Sequence, residues 1–171
     1  MSFVHQGQQG KQMQGQQFRF GYALAAIVAG AALLAPPVGA AEDVAAVVAK
    51  RQAAMKALGA SVKTVSEYAQ GKADQAAAIA ASQKIQEIGK TVPSLFPPHT
   101  GLEELPGKSG AKPEIWSDPQ KFKDAAAALA SGSDALAKVV AAGDVASTGA
   151  SLKALGHDAC GTCHDTYRVK I

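Results

Sequence analysis

From about Asp43 onward, apolar side chains return at intervals of three and four residues, while Gly and Pro cluster between the periodic runs. That spacing lays one apolar stripe along each helix, whereas a half-buried strand needs strict alternation. Alanine, the strongest helix former, fills many of the other positions. The sequence therefore predicts an all-α fold.

Four runs can be delimited. The first spans about Asp43 to Ala69 with a seam of Val44, Val48, Arg51, Met55, Leu58, Val62 and Val65, and Gly71 is a suitable stop. A second begins near Asp74, carries Ala78, Ala81, Ile85, Ile88 and Val92 on one face, and ends at Pro93. From Pro93 to Asp118 lies a Pro/Gly-rich connection of 26 residues, long for a compact domain, whose Leu95, Phe96, Ile115 and Trp116 need something to cover. Asp118 before Pro119 is a strong helix start. The third run then reaches about Ala142 with Phe122, Ala126, Leu129, Leu136 and Val140 inward. After Gly143-Asp144 the fourth presents Val145, Leu152, Leu155, Ala159 and Cys163. Short links, one long link and amphipathic faces imply an antiparallel four-helix bundle with room for a cofactor between facing helices.

The fourth run also carries Cys160-Gly161-Thr162-Cys163-His164, and C-x-x-C-H is the attachment signature for c-type haem. On a helix, Cys160, Cys163 and His164 occupy i, i+3 and i+4 and share one face, where two thiols can add to one porphyrin and the imidazole can reach its iron. Three other readings compete. A thioredoxin-type redox pair expects strands alternating with helices around it. A tetrahedral zinc site needs four ligands, yet these are the only cysteines and His99 sits in a distant loop. A structural disulfide leaves the adjacent histidine unexplained. One covalent haem c accounts for all three residues.

Lys11 and Arg19 precede an apolar run over residues 21–35, which is followed by Pro36-Pro37-Val38-Gly39-Ala40. This order reads as a secretory signal over residues 1–40, cleaved after Ala40. At 15 residues the run is short for a membrane span of about 20, and an uncleaved anchor would lead to the same compartment. Residues 41–171 then form one domain with 15 basic and 14 acidic side chains. So even a balance argues against a nucleic-acid or anionic-membrane surface.

The chain resembles the class II c-type cytochromes, the cytochrome c′ group and its low-spin relatives. The likeness rests on Arg51-Gln52-Ala53-Ala54-Met55, on Pro93-Ser94-Leu95-Phe96-Pro97, on Ala111-Lys112-Pro113-Glu114-Ile115-Trp116-Ser117-Asp118, and on the terminal Cys160 to Arg168. Class I cytochromes c usually carry C-x-x-C-H near the start of the domain, so its terminal position here discriminates. The resemblance implies a left-handed bundle with haem c near one end, export to the periplasm, redox partner proteins there, and often a homodimer through the first two helices. It also implies Cys160 and Cys163 as covalent anchors and His164 as proximal iron ligand. Arg51 and Arg168 match arginines on the distal and proximal sides of the haem. An arginine in an apolar seam independently calls for a buried anionic partner, such as a haem propionate, or else a route to solvent at the helix edge.

Met55 is the only methionine outside the leader, and it lies one turn after Arg51. Read alone it is a packing residue, because methionine fills irregular core gaps. Within the resemblance it stands where low-spin members place a thioether on the iron, which raises the potential and suits a one-electron carrier. High-spin members leave that position open to small gases such as nitric oxide and carbon monoxide, and some do so despite a methionine there. His157, seven residues before His164 on the same helix, and His99 are weaker ligand candidates. A peroxidase-like enzyme would need a distal acid/base pair, and no histidine fills that role.

Overall fold

The computed structural model describes residues 43–171, so the expected signal over residues 1–40 lies outside it. The chain folds as an antiparallel four-helix bundle. Its elements are α1 (Val44–Ala69), α2 (Gln75–Thr91), a 3-10 turn (Val92–Leu95), a short α3 (Glu114–Ser117), α4 (Pro119–Ala141), α5 (Val145–Ala154), a π-helical turn (Leu155–Gly161) and α6 (Thr162–Tyr167). Around the ring, α1 packs on α2, α2 on α4, α4 on α5, and α5 on α1.

All four long elements start the same way. The side chains of Asp43, Asp74, Asp118 and Asp144 accept the backbone N–H of Ala45, Ala77, Lys121 and Ser147 at 2.7–3.2 Å, each satisfying a donor that the first helical turn would leave orphaned. α1 and α4 also end alike. Lys72 N–H reaches the Glu67 carbonyl and Gly71 N–H that of Tyr68, while Asp144 and Gly143 do the same to Val139 and Val140. These paired bonds need a left-handed residue at the turn, and Gly71 and Gly143 supply it with φ near +71° and +74°. Gln75 at the start of α2 donates to the carbonyls of Val140 and Ala141 at the end of α4, and Gln86 donates to Asp134, which fixes these two helices antiparallel.

The core has two parts. One, around Val65, Ala78, Ile85, Leu136 and Val140, fills the bundle's closed end. The other, around Val92, Ile115, Phe122, Ala126 and Tyr167, lies under the long connection. The apolar residues of that connection do find cover: Leu95 and Ile115 are buried, and the Trp116 indole N–H donates to the Phe96 carbonyl at 3.1 Å.

The structure departs from the sequence expectations at three places. Val145 and Val44, expected inward, are exposed, because each stands at the first position of its helix, before the chain has entered the bundle. Thr148 takes the buried place instead, its hydroxyl donating to the Asp144 carbonyl at 2.7 Å. Pro93 does not open an irregular loop but sits inside the 3-10 turn that continues α2. Finally, the fourth helix is interrupted by the π-helical turn rather than running on unbroken.

Leu136 is fully buried, so Leu136→Ala should destabilise the protein by about 2–5 kcal/mol. Val145→Ala, at an exposed position, should change stability by no more than about 0.5 kcal/mol. Denaturant unfolding of the two variants checks both, and a loss of several kcal/mol at Val145 would restore the inward reading of that residue.

Candidate haem site

α1 packs closely against α5, but its backbone makes no close approach to the π-helical turn or α6. Near the closed end Ala69 of α1 comes close to Gly149 of α5. Beyond that point a cavity of about 730 Å³ lies between the middle of α1, from Arg51 to Val62, and the segment from Leu155 to the C-terminus. That volume is in the range of a cofactor pocket. Its walls are largely apolar, with Leu58 and Val62 on α1, Phe122 and Leu129 on α4, and Leu152 and Leu155 on the far side.

All six residues singled out from the sequence line this one cavity: Arg51, Met55, Cys160, Cys163, His164 and Arg168. Met55 and Arg51 come from α1, the other four from the C-terminal segment. Cys160 packs against the closed-end core and Cys163 against the core under the long connection, so the cysteine pair straddles the junction of the two. Both are free thiols. His99 is not among the lining residues; it borders a separate depression with Glu104 and Trp116. His157 is exposed and pairs with Asp158 at 2.7 Å.

The motif does not ride a regular helix. Cys160 is in the π-helical turn, whereas Cys163 and His164 are in α6. Thr162 Oγ1 donates to the His157 carbonyl five residues earlier. The widened turn changes the helical register just before the second cysteine, yet all three side chains still reach the cavity. Gly156 and Gly161, weak helix formers in an otherwise good helix, are the signal from which a break could have been inferred.

Electrostatics suit these groups to their chemistry. Burial pushes the Cys160 thiol up, and burial followed by the neighbouring Cys160 pushes Cys163 up, so both stay protonated at neutral pH. Burial, and next the charge of Arg168, lowers His164, with Asp165 opposing in part. Its imidazole is therefore neutral near pH 7, the form that ligates a metal.

The arginines behave differently from each other. Arg51 is only 4% exposed, which removes the solvent-seeking alternative, but its protein partners are neutral oxygens of Leu95, Thr100 and Ser109 rather than a carboxylate. Arg168 is exposed, and its backbone is tied into the fold. It forms a bridge with Ala111, flanked by Lys112 N–H to the Tyr167 carbonyl and Val169 N–H to the Gly110 carbonyl. A side chain at Gly110 would collide with the Val169 carbonyl, so the close approach requires glycine. This pairing ties the C-terminal segment to the long connection and brings Ser109, Gly110 and Val169 to the cavity rim. Sequence reasoning missed it, because one bridged pair leaves no periodicity to read.

Two thiols, a neutral imidazole and a thioether on the walls of one largely apolar cavity form a donor set that fits a covalently held haem. The cytochrome c′ family model matches residues 46–168. The chain belongs to the cytochrome c′ family. It is 38% identical over 125 residues to cytochrome c-556 of Agrobacterium fabrum, covering 72% of this chain and 81% of that protein. With cytochrome c′ of Pararhodospirillum photometricum it shares 36% identity over 120 residues, 69% of this chain and 92% of the relative. Among solved structures, a nitric oxide complex of a variant cytochrome c′ from Alcaligenes xylosoxidans superposes with a TM-score of 0.65 at 28% identity, covering 75% of this chain and 97% of that one. This cytochrome c′ relative is thus a haem c electron-transfer protein, and Cys160 and Cys163 fit the attachment signature.

Wild-type protein should retain its haem through denaturation and acid-organic extraction, and the double change Cys160→Ala, Cys163→Ala should release it all. Haem that stays with the doubly substituted chain would mean that these thiols are not the anchors.

Proposed function

We propose that this protein is a periplasmic one-electron carrier with His164 and Met55 as axial ligands of its haem iron. Bound haem c supplies a ferric/ferrous couple; the protein supplies the ligands and a largely apolar pocket. The observation that carries the reading is the placement of Met55: it lines the cavity from α1, a helix whose backbone makes no close approach to the segment bearing His164. Among the lining residues no second histidine and no other methionine competes with it. A thioether there favours the ferrous state and raises the potential, as a carrier requires. The packing of Met55 against the core under the long connection supports small reorganisation when the charge of the site changes.

The remaining assignments follow from the same reading. Residues 1–40 act as the export signal, the redox partners are proteins of the periplasm, and no substrate is transformed. Pairing into a homodimer through α1 and α2 is consistent with this architecture. Among the described residues no helix is long and apolar enough to cross a membrane. The competing reading is a five-coordinate, gas-binding protein, and solved relatives crystallised with nitric oxide favour keeping it as a definite alternative.

Met55→Ala discriminates between them. In the carrier, the substitution should convert ferric iron from low to high spin, lower the reduction potential, and raise carbon monoxide affinity of the ferrous form by about 100-fold, the factor recovered when a site open about 1% of the time becomes fully open. An unchanged ferric spectrum and unchanged carbon monoxide affinity would establish that Met55 never ligates.

A further inference from the structure

Three stretches far apart in sequence border the cavity: the middle of α1, the end of the long connection and the C-terminal segment. They are tied to one another. Gln52 of α1 donates to the Lys108 carbonyl at 2.8 Å, and Val169 N–H donates to the Gly110 carbonyl at 2.8 Å. Each stretch brings exposed cations to this rim. Lys56, Arg168 and Lys170 line the cavity, and Lys108 stands beside Ser109, which also lines it. Among the described residues no Asp or Glu lines the cavity.

These cations are also unpaired. Elsewhere Lys63, Lys84, Lys90 and Lys121 meet the carboxylates of Glu67, Glu87, Asp134 and Asp118 at 2.9–3.5 Å, whereas among the described residues the four rim cations enter no ion pair. Asp158, in the same C-terminal segment, is taken by His157 at 2.7 Å. Asp165 is exposed and is not a lining residue. Like charges gathered round an apolar opening repel one another, so the arrangement gains the fold nothing. Haem's own pair of carboxylates is outnumbered by Arg51 and the four rim cations together.

Net charge cannot supply steering, because residues 41–171 carry 15 basic and 14 acidic side chains. Where the charges sit must supply it. With a screening length of about 8 Å at physiological ionic strength, only charges close to the contact patch act on an arriving molecule. An apolar centre inside a charged rim is the anatomy of an interface whose electrostatics set its on-rate and partner choice.

We infer that the cavity mouth is the docking face for a redox partner protein that presents an acidic patch, with Lys56 and Lys170 among its principal contacts. This rests on the carrier reading, though not on the ligand at the sixth position.

Three holoproteins test it: wild type, the rim variant Lys56→Glu with Lys170→Glu, and a control, Lys72→Glu with Lys138→Glu, that reverses as many exposed charges at the closed end. The ferrous forms are oxidised by hexacyanoferrate(III), an anion, and by tris(phenanthroline)cobalt(III), a cation. At low salt the rim variant should react about tenfold more slowly than wild type with the anion and faster with the cation, while the control stays within about twofold. A second readout needs no electron transfer. The redox-inert anion hexacyanochromate(III) should broaden the amide signals of Lys56, Lys108 and Lys170 in wild type and spare them in the rim variant. Equal rate losses in the rim variant and the control would mean that net charge alone acts, and the inference fails. Unchanged rates together with no broadening would mean that the cofactor's carboxylates neutralise these cations, and it fails again. Phosphatidylserine vesicles that retain wild type but not the rim variant at physiological salt would assign the rim to a membrane and overturn the protein partner. Should the iron exchange electrons with neither reagent, the carrier reading falls, and the broadening still decides whether the rim receives anions.

Discussion

α1 closes on α5 and then stops short of the segment that follows, and everything distinctive about this protein depends on that incomplete contact. A bundle of four amphipathic helices would ordinarily bury all of its stripes. Here Leu58, Val62, Leu129 and Leu152 are left only partly buried and face a common cavity. An apolar cavity of this size is unfavourable unless something fills it, and the family to which the chain belongs fills it with haem c. The gap is thus a receptacle built by stopping one helix contact.

Keeping two walls apart is harder than packing them together, because no close backbone approach sets their distance. The closed end is fixed by paired capping bonds at Gly71 and Gly143 and by the α2–α4 seam. At the open end the long connection does the work: Arg51 holds it from one side and the Gly110–Val169 backbone pairing holds it from the other. A stretch that seems merely long in the sequence is therefore the structural link between the ligand-bearing segments.

Much of this was legible in the residues. Asp118 marked a helix start because a short carboxylate accepts the first backbone donors, and the three-and-four spacing located the inward faces of α2 and α4. The cysteines and His164 were legible because their chemistry fixes their spacing. What escaped were features that depend on partners distant in sequence or on a local break: the Ala111–Arg168 bridge, the hydroxyls of Thr100 and Ser109 that take the Arg51 fork, and the π-helical turn at Cys160. Val145 misled because apolar character at a helix start says nothing about whether the bundle has yet reached it.

The proposed function rests on iron held between His164 and Met55. Paramagnetic resonance of the ferric, unsubstituted holoprotein at neutral pH tests it most directly. Low-spin iron with histidine–methionine ligation is the expected result. A high-spin signal from the intact protein would contradict it and leave a five-coordinate, gas-accessible haem in its place.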